Sequence, residues 1–206
     1  MGMLSIDLFI TLDGVYQAPG GREEDPSGGF PYGGWQAAYF DEGTGEVIMG
    51  GINRMDALLL GRRTYDIFAA YWPDRGDQDP VAAKFNNMPK FVVSRSLADP
   101  SWEGTSVLSD EAGVAGLKDR FQDIHVVGSG ELARSLLNAD LVDRLNLYVY
   151  PVTFGTGKRL WTEGVGIPAA FKLVGEPQAF PKGALCLVYE RAGEPVTGLD
   201  MGAPPN

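Results

Sequence analysis

The chain predicts an α/β fold: three αβα layers, with a mixed sheet that is parallel at its centre and antiparallel at its C-terminal edge. Three observations predict it. Short apolar runs, such as Ala57-Leu58-Leu59-Leu60 and Ile124 to Val127, alternate with helix-period segments through the middle of the chain, the order that βαβ units produce. The runs are apolar on both sides of the period, as strands covered on both faces are. The end of the chain is strand-rich, with Phe171 to Gly175 and Ala184 to Arg191 reading as a closing antiparallel pair.

In order, Ser5 to Leu12 reads as the first strand, and Asp13-Gly14 turns it. Gln17 to Trp35 is too rich in glycine, proline and charge to be a plain connection, and its aromatics Phe30, Tyr32 and Trp35 suit a loop that docks on the body. Gln36 to Phe40 reads as a helical turn, Glu46 to Met55 as a helix and Asp56 to Leu60 as a central strand. Gly61 to Tyr65 turns into a helix with Thr64 as its expected N-cap, and Tyr71-Trp72-Pro73 ends it. A short helix over Pro80 to Asn87 precedes a strand over Lys90 to Ser94. Thr105 to Leu108 is a minor strand, Asp110 to Phe121 a helix weakened by glycine, and Arg144 to Val152 a long alternating strand. One domain over residues 1–192 and a frayed tail over 193–206 are expected, since the tail is rich in proline and glycine.

The totals exclude several classes. A formal net charge of −10 with no basic cluster argues against a nucleic-acid surface. No apolar run is long enough to span a membrane, and no secretion signal is visible at the N-terminus, so a cytoplasmic protein is expected. A single cysteine, Cys186, cannot form an intrachain disulfide and reads as a core residue. With one histidine, His125, a His-rich metal site is impossible, and no metal is expected. His125 alternates with apolar neighbours on a central strand and reads as structural.

The most informative stretch is Ile124 to Leu137, a strand that breaks at Gly128-Ser129-Gly130 and resumes as a helix with Leu132, Leu136 and Leu137 on one face. Glycines let backbone approach phosphate oxygens, and the first helical N–H groups point at them. Gly128-x-Gly130-x-x-Ala133 satisfies the loose dinucleotide fingerprint, but the acid that a Rossmann fold places at the end of the next strand is absent. Two more strand ends carry glycine or arginine: Gly61-Arg62 and Ser94-Arg95. Ligands of such sheets bind at the C-terminal strand ends, so three such ends imply one extended, multiply phosphorylated ligand.

Five motifs occur in one order: Leu12-Asp13-Gly14; Leu58 to Tyr65 with Gly61-Arg62-Arg63-Thr64; Phe91-Val92-Val93-Ser94-Arg95; Val126 to Leu132; and Leu141-Val142-Asp143-Arg144-Leu145 followed by Pro151 and Phe154-Gly155-Thr156-Gly157. That order resembles the dihydrofolate reductase-like superfamily. Within it, the closer likeness is to the C-terminal reductase domain of bifunctional riboflavin-biosynthesis deaminase-reductases, without the deaminase half. The resemblance implies NADPH extended across the strand ends. Gly61, Arg62 and Thr64 would form one phosphate-binding helix start, and Gly128, Ser129, Gly130, Glu131 and Leu132 the pyrophosphate loop. Ser94 and Arg95 would face the 2′-phosphate, with Asp13 and Gly14 near the nicotinamide. It also implies a homodimer joined through the closing strands.

The function expected is NADPH-dependent reduction of a small heterocyclic or sugar-linked substrate, similar to 5-amino-6-(5-phosphoribosylamino)uracil reductase. Pterin reduction of the dihydrofolate reductase type and nucleotide binding without turnover are the alternatives. The acid of true dihydrofolate reductases falls at about Gly45; the adjacent Glu46 either replaces it or serves the helix dipole. Asp13, Asp41 and Glu46 are the candidate proton donors, and Trp35, Met49, Tyr148 and Tyr150 the candidate substrate-binding residues. Tyr39 and Phe40 are candidates to cap that pocket.

Overall fold

A computed structural model describes residues 1–162 and 166–200. Its sheet is built from β1 (Met3–Thr11), β2 (Ala57–Gly61), β3 (Lys90–Val93), β4 (Thr105–Leu108), β5 (Asp123–Val127), β6 (Arg144–Tyr150), β7 (Phe171–Leu173), β8 (Gln178–Ala179) and β9 (Leu185–Arg191). The order is β4-β3-β2-β5-β1-β6-β9-β7, with β8 beside β9. All pairs from β4 to β6 are parallel, and β9 runs antiparallel to β6, β7 and β8. A mixed sheet with a parallel centre and an antiparallel C-terminal edge is therefore the fold.

Helices α1 (Glu42–Arg54), α2 (Arg62–Tyr71) and α3 (Pro80–Asn87) cover one face, and α4 (Glu111–Leu117) and α5 (Gly130–Asn138) the other. The strand period sorts the core. Leu4, Ile6, Leu8 and Ile10 of β1 pack with Leu132, Leu136 and Leu137 of α5. Phe9 turns the other way, against Tyr148 and Tyr150 of β6 and toward α1. Each fully buried aliphatic side chain here stabilises by about 1.5–3 kcal/mol, which is why the apolar runs outweigh the glycines around them.

Several boundaries differ from expectation. The helix expected from Glu46 starts at Glu42, because Asp41 Oδ1 caps it by accepting from the Thr44 amide and hydroxyl, both at 2.8 Å. Gly43 and Gly45 hide this start in the sequence. Gly45 is needed there: a β-carbon would fall 2.9 Å from the Phe40 ring. Thr64 is not the cap of α2; Gly61 holds that place, without a side-chain hydrogen bond. The fourth helix ends at Leu117 rather than Phe121, with Asp110 as its cap. Strand β6 stops at Tyr150 because Pro151 offers no amide to a ladder.

The 17–35 loop is docked. Gln17 donates to the carbonyls of Asp25 and Ser27 at 2.9 Å, and the Trp35 indole donates to the Gln17 carbonyl at 2.8 Å. Phe30 and Trp35 are buried, and Phe30, Tyr32 and Phe154 form an aromatic cluster.

Candidate functional site

The C-terminal ends of β4, β3, β2 and β5 open on one cleft of about 1480 Å³, closed on the far side by the stretch from Tyr16 to Asp25. Gly61, Arg62 and Thr64 stand at the start of α2, Ser94 and Arg95 after β3, and Gly128, Ser129, Gly130, Glu131 and Leu132 at the start of α5; all ten line it. The expected convergence of three turns on one groove is what the chain does.

The glycine turn owes its shape to two successive left-handed residues, Gly128 at φ 59° and Ser129 at φ 55°. Ser129 tolerates this strained region because its side chain is anchored. Its hydroxyl accepts from the Gly61 amide at 3.0 Å and donates to the Val127 carbonyl at 3.3 Å. The Ser129 side chain thus ties the β5 turn to the β2 turn, and the groups here that could hold an anion are the free amides of the first turn of α5. Thr64 packs its methyl against Gly128. Tyr16 lies across Gly130: a β-carbon there would fall 2.1 Å from Tyr16 Cζ. Only glycine lets that ring and that helix start coexist.

At the β3 end the Ser94 hydroxyl accepts from the amides of Ser96 and Leu97, at 3.3 and 3.1 Å, and shapes the turn that presents Arg95. Arg95 is exposed, and Glu111 on the neighbouring wall feels its charge. The Glu111 carboxyl sits below the usual range, mainly because the Ser135 hydroxyl donates to it.

The other candidates fall outside the cleft. Burial works to raise the Asp13 carboxyl, but the Thr11 hydroxyl, the Gly155 and Phe154 amides and Arg159 outweigh it and hold it down at about 2. Asp13 is thus a fixed anion joining the β1 turn to the 154–159 loop, unsuited to donate a proton, and Gly14 completes that turn at φ 77°. Glu46 is exposed on α1 and does not line the cleft. Asp41 is the helix cap. Met49 packs with the apolar set of α1, α2 and α3. Tyr148 and Tyr150 are buried beneath α1 and Trp35, and burial pushes both phenols up, Tyr150 to about 12. Tyr39 packs beside Tyr150, and Phe40 beside Gly45, rather than over the cleft. Neither tyrosine lines the cleft: the Tyr148 hydroxyl lies beneath Gly51 of α1, and the Tyr150 hydroxyl accepts from Gln36.

Sequence reasoning missed Phe9, Tyr16, Glu24, Gln36, Ser109, Asp110 and Lys158, which all line the cleft. The strand-end rule, applied to Thr105 to Leu108, would have found Ser109 and Asp110. Nothing local marks Gln36, whose Nε2 donates to Tyr150 Oη at 2.8 Å across 114 residues of sequence.

A parallel-centred αβα sheet with a groove along its strand ends defines a three-layer α/β protein with a cleft at the C-terminal strand ends. The model of the RibD C-terminal domain matches residues 3–181. The chain belongs to that family of reductase-like domains. It is 25% identical over 201 residues to the Bacillus subtilis (strain 168) protein YyaP, covering 91% of this chain and 94% of that one. A putative riboflavin biosynthesis protein from Shewanella sp. PV-4 superposes with a TM-score of 0.64 at 17% identity, covering 92% of this chain and 99% of that one. A pyrimidine reductase-like protein from Corynebacterium diphtheriae gives 0.60 at 12% identity, covering 94% and 93%. Among the described residues no helix is long and apolar enough to cross a membrane, and no group of three or more potential metal ligands is present.

Proposed function

We propose that the chain is an NADPH-dependent reductase of a small heterocyclic or sugar-linked substrate. The observation that carries this reading is the meeting of the β2, β3 and β5 turns on one continuous groove. The groove's volume of about 1480 Å³ exceeds the ~300–1,000 Å³ of ordinary single-ligand pockets, which leaves space for a second reactant beside a dinucleotide. The α5 start and the Gly61-Arg62 turn suit the pyrophosphate, and Ser94 and Arg95 suit a 2′-phosphate. NADPH would supply the hydride; the protein's part is to hold and orient both reactants and to exclude water. With Asp13 locked and Glu46 outside, the proton comes from solvent or from a side chain of the cleft wall.

That same displacement of both acids favours a second reading, a dinucleotide-binding module without turnover. NADPH oxidation across a panel of pyrimidines and pterins separates the two. The cofactor assignment is tested by thermal shift: NADPH at 100 times its dissociation constant should add about 2.7 kcal/mol of stability, and no shift would remove the reading. Arg95→Ala should cost NADPH about 1.5–3 kcal/mol of binding, the range for a charged hydrogen bond, and leave NADH nearly unchanged. Equal losses for both would sink the 2′-phosphate assignment.

A further inference from the structure

We infer that the substrate end of the cleft takes a flat ring bearing no phosphate, either uncharged or cationic; the inference rests on the reductase reading. The sheet order locates that end. A dinucleotide laid from β4 and β3 across β2 and β5 reaches β1 last, where Phe9, Tyr16, Gln36 and the 17–25 stretch line the wall.

Cations at this end, and Arg62 at the β2 turn next to it, already face carboxylates. Arg62 Nε donates to both oxygens of Asp66, at 2.9 and 3.0 Å. Arg63 donates to the Ser27 hydroxyl at 2.9 Å and lies 3.5 Å from Asp25. Lys158 Nζ donates to the other Asp25 oxygen at 2.5 Å. Glu23 and Glu24 line the same wall, and Glu24 is fixed in place by the Gly20 and Gly21 amides at 2.7 and 2.9 Å. Four cations, Arg22, Arg62, Arg63 and Lys158, thus stand against four carboxylates, Glu23, Glu24, Asp25 and Asp66. The surface pairs are individually weak, but the carboxylates stay beside the cations whether or not each pair is closed. A dianionic phosphate ester would enter a field with no positive excess. Among the described residues lining the cleft, the arginine or lysine with no carboxylate at salt-bridge distance is Arg95, at the opposite end.

What this end offers instead suits a ring. Phe9 and Tyr16 provide aromatic wall. Gln36, with its Nε2 engaged by Tyr150, keeps its carbonyl oxygen as an acceptor for a ring N–H or amino group. A neutral or protonated amino-heterocycle meets each of these features.

The test uses the NADPH-saturated protein and two probes that differ by one group: a pyrimidine ribosylamine and its 5′-phosphate ester, with inorganic phosphate as a third titrant, all followed by calorimetry. The expected result is that the phosphate adds no affinity and that inorganic phosphate shows no saturable binding. Tightening of about tenfold or more by the ester, 1.4 kcal/mol, or a saturable phosphate site, would overturn the inference. Asp25→Asn and Asp66→Asn provide the converse arm: removing a carboxylate beside Arg63 and Lys158, or beside Arg62, should shift preference toward the ester by about tenfold. Both variants keeping the wild-type preference would also overturn it. Failure of NADPH to bind the wild-type protein is a separate result, and it strikes the reductase reading instead.

Discussion

His125 is 2% exposed, and each of its ring nitrogens meets a carboxylate: Nδ1 to Asp7 at 2.5 Å and Nε2 to Asp123 at 3.0 Å. Asn146 donates to the second Asp7 oxygen at 3.0 Å. Burial alone would lower the imidazolium, but hydrogen bonds to Asp123 and Asp7, with their charges, outweigh it and raise the group to about 9. The unfolded value is 6.5, so the folded state binds the proton more tightly. The resulting stability, on the order of 3 kcal/mol, is fully present below pH ~6.5 and lost as pH rises through about 9. The measurement is the urea midpoint of wild type and His125→Gln between about pH 6 and 10. The gap between them should narrow toward the alkaline end; a constant gap would show that His125 does not carry the charge assigned to it. The alternation of His125 with apolar neighbours made a structural role legible in the sequence. Its Asp7 partner was not, because it is 118 residues away, whereas Asp123 lies two residues off on the same face of β5.

Element geometry explains what else could be read. The strand-end turns were legible because their chemistry is local: an apolar run, then glycine, serine or arginine, and at β2 and β5 a helical period. Asp13 misled for the opposite reason. Asp-Gly reads as a turn, but apart from the Thr11 hydroxyl the groups that fix this aspartate as an anion, the Gly155 amide, Arg159 and the Phe154 amide, are 141 to 146 residues on. Start of α1 was hidden by Gly43 and Gly45, tolerated because Phe40 and Phe180 pack where β-carbons would be. The Tyr16–Gly130 contact was likewise invisible, and it gives a test at the level of elements. Gly130→Ala forces the ring off the α5 start and should destabilise by about 1–3 kcal/mol, as overpacking does. Tyr16→Ala added to it should recover most of that loss, a coupling of ~1 kcal/mol or more in a double-mutant cycle of thermal unfolding. Additive losses would mean that the ring does not rest on Gly130 in solution.

On the scale of the whole molecule, β9 closes the sheet. It pairs with β6, β7 and β8, and its hydrogen bonds continue past its end: Arg191 to the Asp143 carbonyl, Ala192 to Ala170, and Ala170 back to Gly193, each at 2.8 Å. Beyond Gly193 the described residues form no regular element, and Val196 and Leu199 are 82% and 79% exposed; residues 201–206 of the expected tail lie outside the described residues. Ending the chain after Glu194 should therefore change stability by no more than about 0.5 kcal/mol, whereas ending it before Leu185 should abolish cooperative unfolding. The same closing strands present Leu173, 42% exposed, and Leu185, 36% exposed. Single exposed leucines are ordinary, but two on the strands where pairing is expected give the dimer a concrete test. Sedimentation at micromolar concentration should report two chains, and Leu173→Asp with Leu185→Asp should report one, since a charge in an apolar contact is costly to desolvate. The variant should still gain stability from NADPH, because neither residue lines the cleft. A wild-type protein that sediments as one chain would remove the dimer and leave the cleft assignments untouched.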